Sequence, residues 1–193
     1  MYYGPDILKD AQITFDNYSP DESALLLNIP LASVNAFGTL VSAFLIDRLG
    51  RRYILLRTLP LVAVAWLVVA SGMALTAYSD ASALGGKLSF LGLLIFLLSF
   101  AIGVSSTPWA INAEIYPLHV IGTANSLATT CNWVANFAVA SVFLESTGSP
   151  VGSVLTYVAL ASFAACAWTF VYLMIPETAQ RDIKEILGLI LDK

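Results

Sequence analysis

Five long apolar stretches, at about 24–46, 53–78, 88–113, 122–144 and 151–175, constrain this chain more than any motif in it. Each is near or above the roughly 20 residues that a helix needs to cross the hydrocarbon core of a bilayer. In that core an unpaired backbone N–H or C=O costs several kcal/mol, so segments of this length must satisfy their own polar groups as helices. The expectation is an all-α, multi-pass membrane protein. Composition agrees, since the chain is 58% hydrophobic and 11% charged, whereas a soluble domain is roughly 45–50% apolar and about 25% charged.

The joints between the stretches set an orientation. Residues 1–23 carry Asp6, Asp10, Asp16, Asp21 and Glu22 among turn formers, too polar to span, and read as the tail of a preceding element plus a loop. Alternate joints face opposite sides. Arg48, Arg51, Arg52 and His119 fall on one side with Arg181, Lys184 and Lys193 of the tail (176–193), while the other side holds Lys9 and Lys87. The positive-inside rule places the arginine side and the C-terminus in the cytoplasm, and the plasma membrane is the expected location. The tail itself has room for a short amphipathic helix over 182–191 and no soluble domain.

Several function classes drop out on composition. A net charge of −4 without a basic cluster excludes nucleic acid and a polybasic lipid-binding tail. Met1 opens on Tyr2, Tyr3, Gly4 and Pro5, which is not a secretory signal pattern. Cys131 and Cys166 both lie in apolar stretches, where buried packing rather than a disulfide is expected. His119 is the only histidine, and no paired carboxylates or His-Glu-x-x-His stand at membrane depth, so no enzyme, metal site or cofactor is expected.

Polar and aromatic groups do meet at depth between residues 103 and 137. Pro108 breaks an apolar run and Trp109 follows it; Glu114 and Pro117 come next, then Asn132, Trp133 and Asn136. A proline-broken helix survives in lipid only where protein or a water-filled cavity surrounds it, so this stretch is expected to line a solute site. A second signal is the turn Asp47, Arg48, Leu49, Gly50, Arg51, Arg52. Gly50 is free to take a left-handed backbone. Two arginines at a helix N-terminus oppose its macrodipole, which is sensible where carboxylates wait nearby, and Asp47, Glu114 and Glu177 are expected on that face. The plainer alternative is that these arginines set topology and touch lipid phosphates.

Taken together, the D-R-L-G-R-R turn at 47–52, Pro108-Trp109 followed by Glu114-Ile115-Tyr116-Pro117-Leu118, the run N-W-V-A-N-F at 132–137 and Pro176-Glu177-Thr178 resemble the C-terminal half of the sugar porters of the major facilitator superfamily. Asn35-Ala36-Phe37-Gly38 and Asn112 look most like the inositol transporters, many of which are proton-coupled. The resemblance implies a C-terminal six-helix half, with the five spans as helices eight to twelve and the end of helix seven before them. It further implies two such halves with a solute site between them, so that the N-terminal half, or a partner carrier, is an expected partner beside the lipid bilayer.

By that resemblance, Asn132 hydrogen-bonds a polyol, Trp109 forms an aromatic floor and Asn35 reaches the solute from the eighth helix. Amides suit a hydroxylated ring because each has two donors and an acceptor oxygen. Asn136, at i+4 from Asn132, shares its face; Trp133 turns partly away and is expected to pack. The alternative for the asparagines is hydrogen bonding between helices, worth about 0.6 kcal/mol each on average. Tyr2 and Tyr3 would belong to an outer gate, and Gly103 and Pro108 would let the tenth helix bend. Asp47, Arg48, Arg51, Arg52, Glu114 and Glu177 would form a cytoplasmic charge network. Two departures bear on it: Ile121 stands where relatives carry arginine, and Ala179-Gln180 where lysine and glycine usually follow Thr178. Glu114 must therefore find Arg51 or Arg52.

The expected function is transport of a polyol or monosaccharide by alternating access as part of a longer carrier, myo-inositol first and a hexose second, with protons as a coupling ion open. The competing expectation is a truncated, non-transporting membrane paralogue that binds or regulates a full-length sugar carrier.

Overall fold

The computed structural model describes residues 19–78, 82–146 and 149–179, together with 181, 185 and 188. Tyr2 and Tyr3 lie outside them. Among the described residues six helices follow one another: α1 (Pro20–Leu49), α2 (Arg51–Tyr78), α3 (Ser82–Ser99), α4 (Thr107–Glu114), α5 (Ile121–Ser146) and α6 (Pro150–Met174), with a π-helical turn, Phe100–Val104, between α3 and α4. Among the described residues no strand occurs.

Local chemistry explains the ends. Ser19 caps α1 by accepting from the Glu22 N–H at 3.3 Å, while the Glu22 carboxylate accepts from the Ser19 N–H at 2.9 Å. This reciprocal box, with Pro20 entering the first turn, starts the helix before the expected loop is over. Gly50 separates α1 from α2 at φ +90°, a left-handed conformation that L side chains avoid. Ser149 caps α6 by accepting from the Gly152 N–H at 3.1 Å.

The third helix begins at Ser82, inside what reads as a turn, because Gly85 serves packing rather than turning. A Cβ there would come within 2.6 Å of the Gly72 carbonyl; the two backbones approach so closely that only glycine fits. Small residues at such crossings are how membrane helices gain van der Waals contact.

Helix α2 is the hub, packed against α3 on one side and α6 on the other. One core cluster joins Val69, Ala70, Met73, Leu93, Leu97, Phe143 and Tyr157, with Trp66 stacked on the fully buried Tyr157 at 5.7 Å and tilted on Phe96 at 4.2 Å. A second gathers Leu55, Leu59, Ile111 and Val171. Between them, Pro60 inside α2 leaves the carbonyl four residues earlier without its donor. The Trp168 indole Nε1 of α6 donates to that Leu56 carbonyl at 3.1 Å. Trp168 thus ties α6 to α2 by a specific hydrogen bond as well as by packing.

Among the described residues four helical runs are long and apolar enough to cross a membrane: Leu25–Leu49, Arg51–Tyr78, Ala83–Glu114 and Pro150–Met174. Helix α5 is 26 residues long, about 39 Å at 1.5 Å per residue, but is not among the four. Asn125, Asn132 and Asn136 lie along it and lower its hydropathy. It also packs least, since residues 131–139 are all exposed.

Candidate functional site

The break between α3 and α4 is built by backbone chemistry. The Ser105 N–H reaches back five residues to the Phe100 carbonyl at 2.9 Å, the wide spacing of a π turn, and Pro108 in the first turn of α4 withholds the next donor. Gly103 is buried against Thr58 of α2; a Cβ there would fall 2.6 Å from the Thr58 Cβ. On the other side a Cβ on Gly38 of α1 would meet the Ala101 Cβ at 2.7 Å. The Ser42 and Ser106 hydroxyls share a hydrogen bond of 3.1 Å. The bend is therefore gripped by α1 and α2 through residues too small to hold it apart.

Just past that bend, Trp109 is 46% exposed. Asn35 is half-buried on α1, and Asn132 and Asn136 are exposed on α5. The Asn136 amide donates to the Asn132 carbonyl at 2.9 Å, so its Nδ2 is turned back on its own helix. Among the described residues no hydrogen bond joins Asn35, Trp109 and the Asn132 side chain to one another. Trp133 is 63% exposed and does not pack within this chain as expected. Among the described residues, two open clefts lie elsewhere: one of about 280 Å³ between α2, α4 and α6, which Pro108 and Asn112 line, and one of about 520 Å³ between α5 and α6. None of the four expected solute residues lines either.

The charge network is specific. Arg51 Nη2 and Nε both reach Glu114 Oε1, at 2.8 and 3.1 Å, and Nη2 also stands 3.1 Å from Asp47. Thr178, itself buried, donates its hydroxyl to Glu114 Oε2 at 2.6 Å. Glu177 does something different. It accepts from the backbone N–H groups of Arg51 (2.9 Å), Arg52 (3.2 Å) and Tyr53 (3.4 Å), filling the unsatisfied donors of the α2 N-terminus with negative charge. A Cβ at Gly50 would lie 2.6 Å from the Glu177 Oε2, so the turn must be glycine for this carboxylate to approach. Arg52 donates to the Tyr172 carbonyl at 2.8 Å and lies over that ring at 6.0 Å. Arg48 is exposed and makes none of these contacts.

Three features escape a reading of the sequence. Asn112 donates to Asn125 at 2.6 Å, tying α4 to α5 across the joint. Trp168 serves the Leu56 carbonyl, for which Pro60 four residues on is a legible signal. Arg57, inside the second apolar stretch, faces outward over Tyr53 at 5.3 Å. Cys131 and Cys166 are free but exposed rather than buried; a span whose outer side meets lipid need not hide a thiol. Among the described residues no group of three or more His, Cys, Asp or Glu is placed to hold a metal.

A family model described as "Sugar (and other) transporter" matches residues 1–188. Over 96% of this chain, membrane transporter D1 of Leishmania donovani is 35% identical, facilitated trehalose transporter Tret1 of Apis mellifera ligustica 30%, and myo-inositol transporter 1 of Cryptococcus neoformans var. grubii 28%. These matches cover 33%, 35% and 33% of the relatives, so the chain spans about a third of the length of the curated relatives it matches. Among solved structures, the inward-open xylose transporter XylE from E. coli superposes with a TM-score of 0.74 at 22% identity, over 97% of this chain and 41% of that one. That likeness shows the fold.

Proposed function

The chain belongs to the sugar (and other) transporter family, and from that premise we propose that it forms one wall of a path for a polyol or monosaccharide, moved by alternating access. Myo-inositol is the first substrate in this reading and a hexose the second. The observation that carries it is the α3–α4 break, which sets Trp109 on an open surface beyond Pro108, in a chain whose α5 presents the Asn132 amide outward. An aromatic face and an amide answer the two sides of a hydroxylated ring, its apolar faces and its hydroxyl rim. A path shared between two walls also accounts for why these residues lie on open faces and not in a cavity of this chain alone. Asn35 completes the set from α1, and Asn136, its own amide engaged, steadies the helix beside Asn132. The myo-inositol transporter among the relatives supports the substrate class; the trehalose transporter, whose named solute is a disaccharide of glucose, keeps a saccharide alternative in view.

In this reading the Arg51–Glu114–Glu177 end faces the cytoplasm of the plasma membrane, and the rest of the carrier, or a partner carrier, supplies the second wall. The test is saturable uptake of labelled myo-inositol by the complete carrier. Asn132→Ala abolishes uptake while membrane insertion is unchanged; uptake equal to that of the unsubstituted carrier removes Asn132 from the site. Saturable binding without any flux by the unsubstituted protein would instead favour the non-transporting paralogue.

A further inference from the structure

We propose that Arg57, with the Tyr53 ring beneath it, binds the phosphate of an anionic glycerophospholipid in the leaflet that meets the Arg51 end of α2. Arg57 stands six residues after Arg51 within a membrane-length run, roughly 9 Å along the helix axis. It lies on the outward face. Tyr53, Leu61, Val64 and Leu67, which share its helical stripe, are 47%, 50%, 53% and 50% exposed, while Ile54, Leu55, Thr58, Leu59 and Val62 on the other side are buried. This is therefore a cation on an apolar exterior.

Its neighbours do not neutralise it. Among the described residues Arg51 has Asp47 and Glu114, and Arg181 has Glu185, but no carboxylate pairs with Arg57. It lies over the Tyr53 ring, whose centre is 5.3 Å from Cζ. The α2 N-terminus cannot serve as the anion site, because Glu177 already takes the N–H groups of Arg51, Arg52 and Tyr53. The guanidinium is left as the donor. Charge at this depth calls for an opposite charge, and the planar fork matches phosphate oxygens in pairs. The arginine stem runs along the apolar stripe towards the interface, where a tyrosine ring sits naturally. The acyl chains of the same lipid then lie along Leu61, Val64 and Leu67.

The test places a fluorophore at Leu61→Cys, with Cys131→Ala and Cys166→Ala, in nanodiscs of phosphatidylcholine containing a minor fraction of brominated phosphatidylglycerol. A control label goes at Phe163→Cys, exposed on α6 beside the cleft shared with α5. Quenching should report a local phosphatidylglycerol fraction about fivefold above bulk at position 61, the preference one cation confers near a membrane surface, and near bulk at position 163. Arg57→Gln should remove the excess and Arg57→Lys retain more than half of it. Equal quenching at the two positions overturns the proposal even if Arg57→Gln fails to insert, as does an excess that survives Arg57→Gln. An excess abolished by inorganic phosphate, but not by sodium chloride of equal ionic strength, assigns the site to free phosphate and overturns the lipid.

Discussion

Pro60 and Trp168 show how one residue's chemistry creates a demand that another meets. Proline removes the donor for the Leu56 carbonyl, and at membrane depth no water replaces it; the indole Nε1 arrives from α6 at 3.1 Å. Trp168→Phe keeps most of the ring and loses the donor, so it should destabilise the protein by about 1–2 kcal/mol, read as a lower midpoint in thermal unfolding in detergent. In a Pro60→Ala background, where the helix supplies its own bond, the same change should cost less than half as much; equal costs in both backgrounds refute the pairing. Gly103→Ala drives a methyl into Thr58 and should cost roughly 1–3 kcal/mol by overpacking; an unchanged unfolding midpoint would show that α2 and the π turn can separate there. At this scale the sequence reveals the donor that is lost, since Pro60 and Leu56 are four apart, but not which indole answers, because that depends on how α6 crosses α2. For the same reason Gly85 reads as a turn until Gly72 is found across from it.

At the scale of elements, the α1–α2 turn, the end of α4 and the segment after α6 meet in one polar knot. That carboxylates would gather around Arg51 is legible in the sequence, because Asp47, Glu114 and Glu177 all stand at the ends of apolar stretches. Their division of labour is not. Glu114 takes the arginine side chain, whereas Glu177 takes three backbone N–H groups of α2, a role that charge alone does not specify. Glu177→Ala should therefore cost about 1–2 kcal/mol, as loss of a good helix cap does, with the drop in unfolding midpoint little changed by raising the salt. A midpoint equal to that of the unsubstituted protein would deny the cap. Glu114→Gln weakens the link between α2 and α4, a part-buried pair worth on the order of 1–2 kcal/mol. With Ile121 in place of a further arginine, no other cation among the described residues pairs with Glu114. In the proposed carrier its loss should raise, by about tenfold, the rate at which a thiol reagent reaches the path from the Arg51 side. Unaltered rates from both sides would mean that the knot does not hold that side shut.

At the scale of the whole chain, the fold is that of part of a major facilitator carrier, and its packing is uneven. α2, α3 and α6 form a tight unit around Trp66 and Tyr157, while α1 and α5 leave large apolar side chains uncovered, among them Phe44 at 71% and Phe137 at 76% exposed. The spans of the tight unit announce themselves as apolar runs. Helix α5 also reads as an apolar stretch of membrane length, but its asparagines lower its hydropathy below that of the other spans. The central claim is that its outward face lines a path open to each side in turn. The direct measurement uses Asn136→Cys, on the exposed face of α5, in a complete carrier with Cys131→Ala and Cys166→Ala. Labelling by a membrane-impermeant thiol reagent should proceed from either side of the membrane and slow at least severalfold with saturating myo-inositol or hexose. Labelling from one side only, at a rate that neither solute alters, would contradict the account.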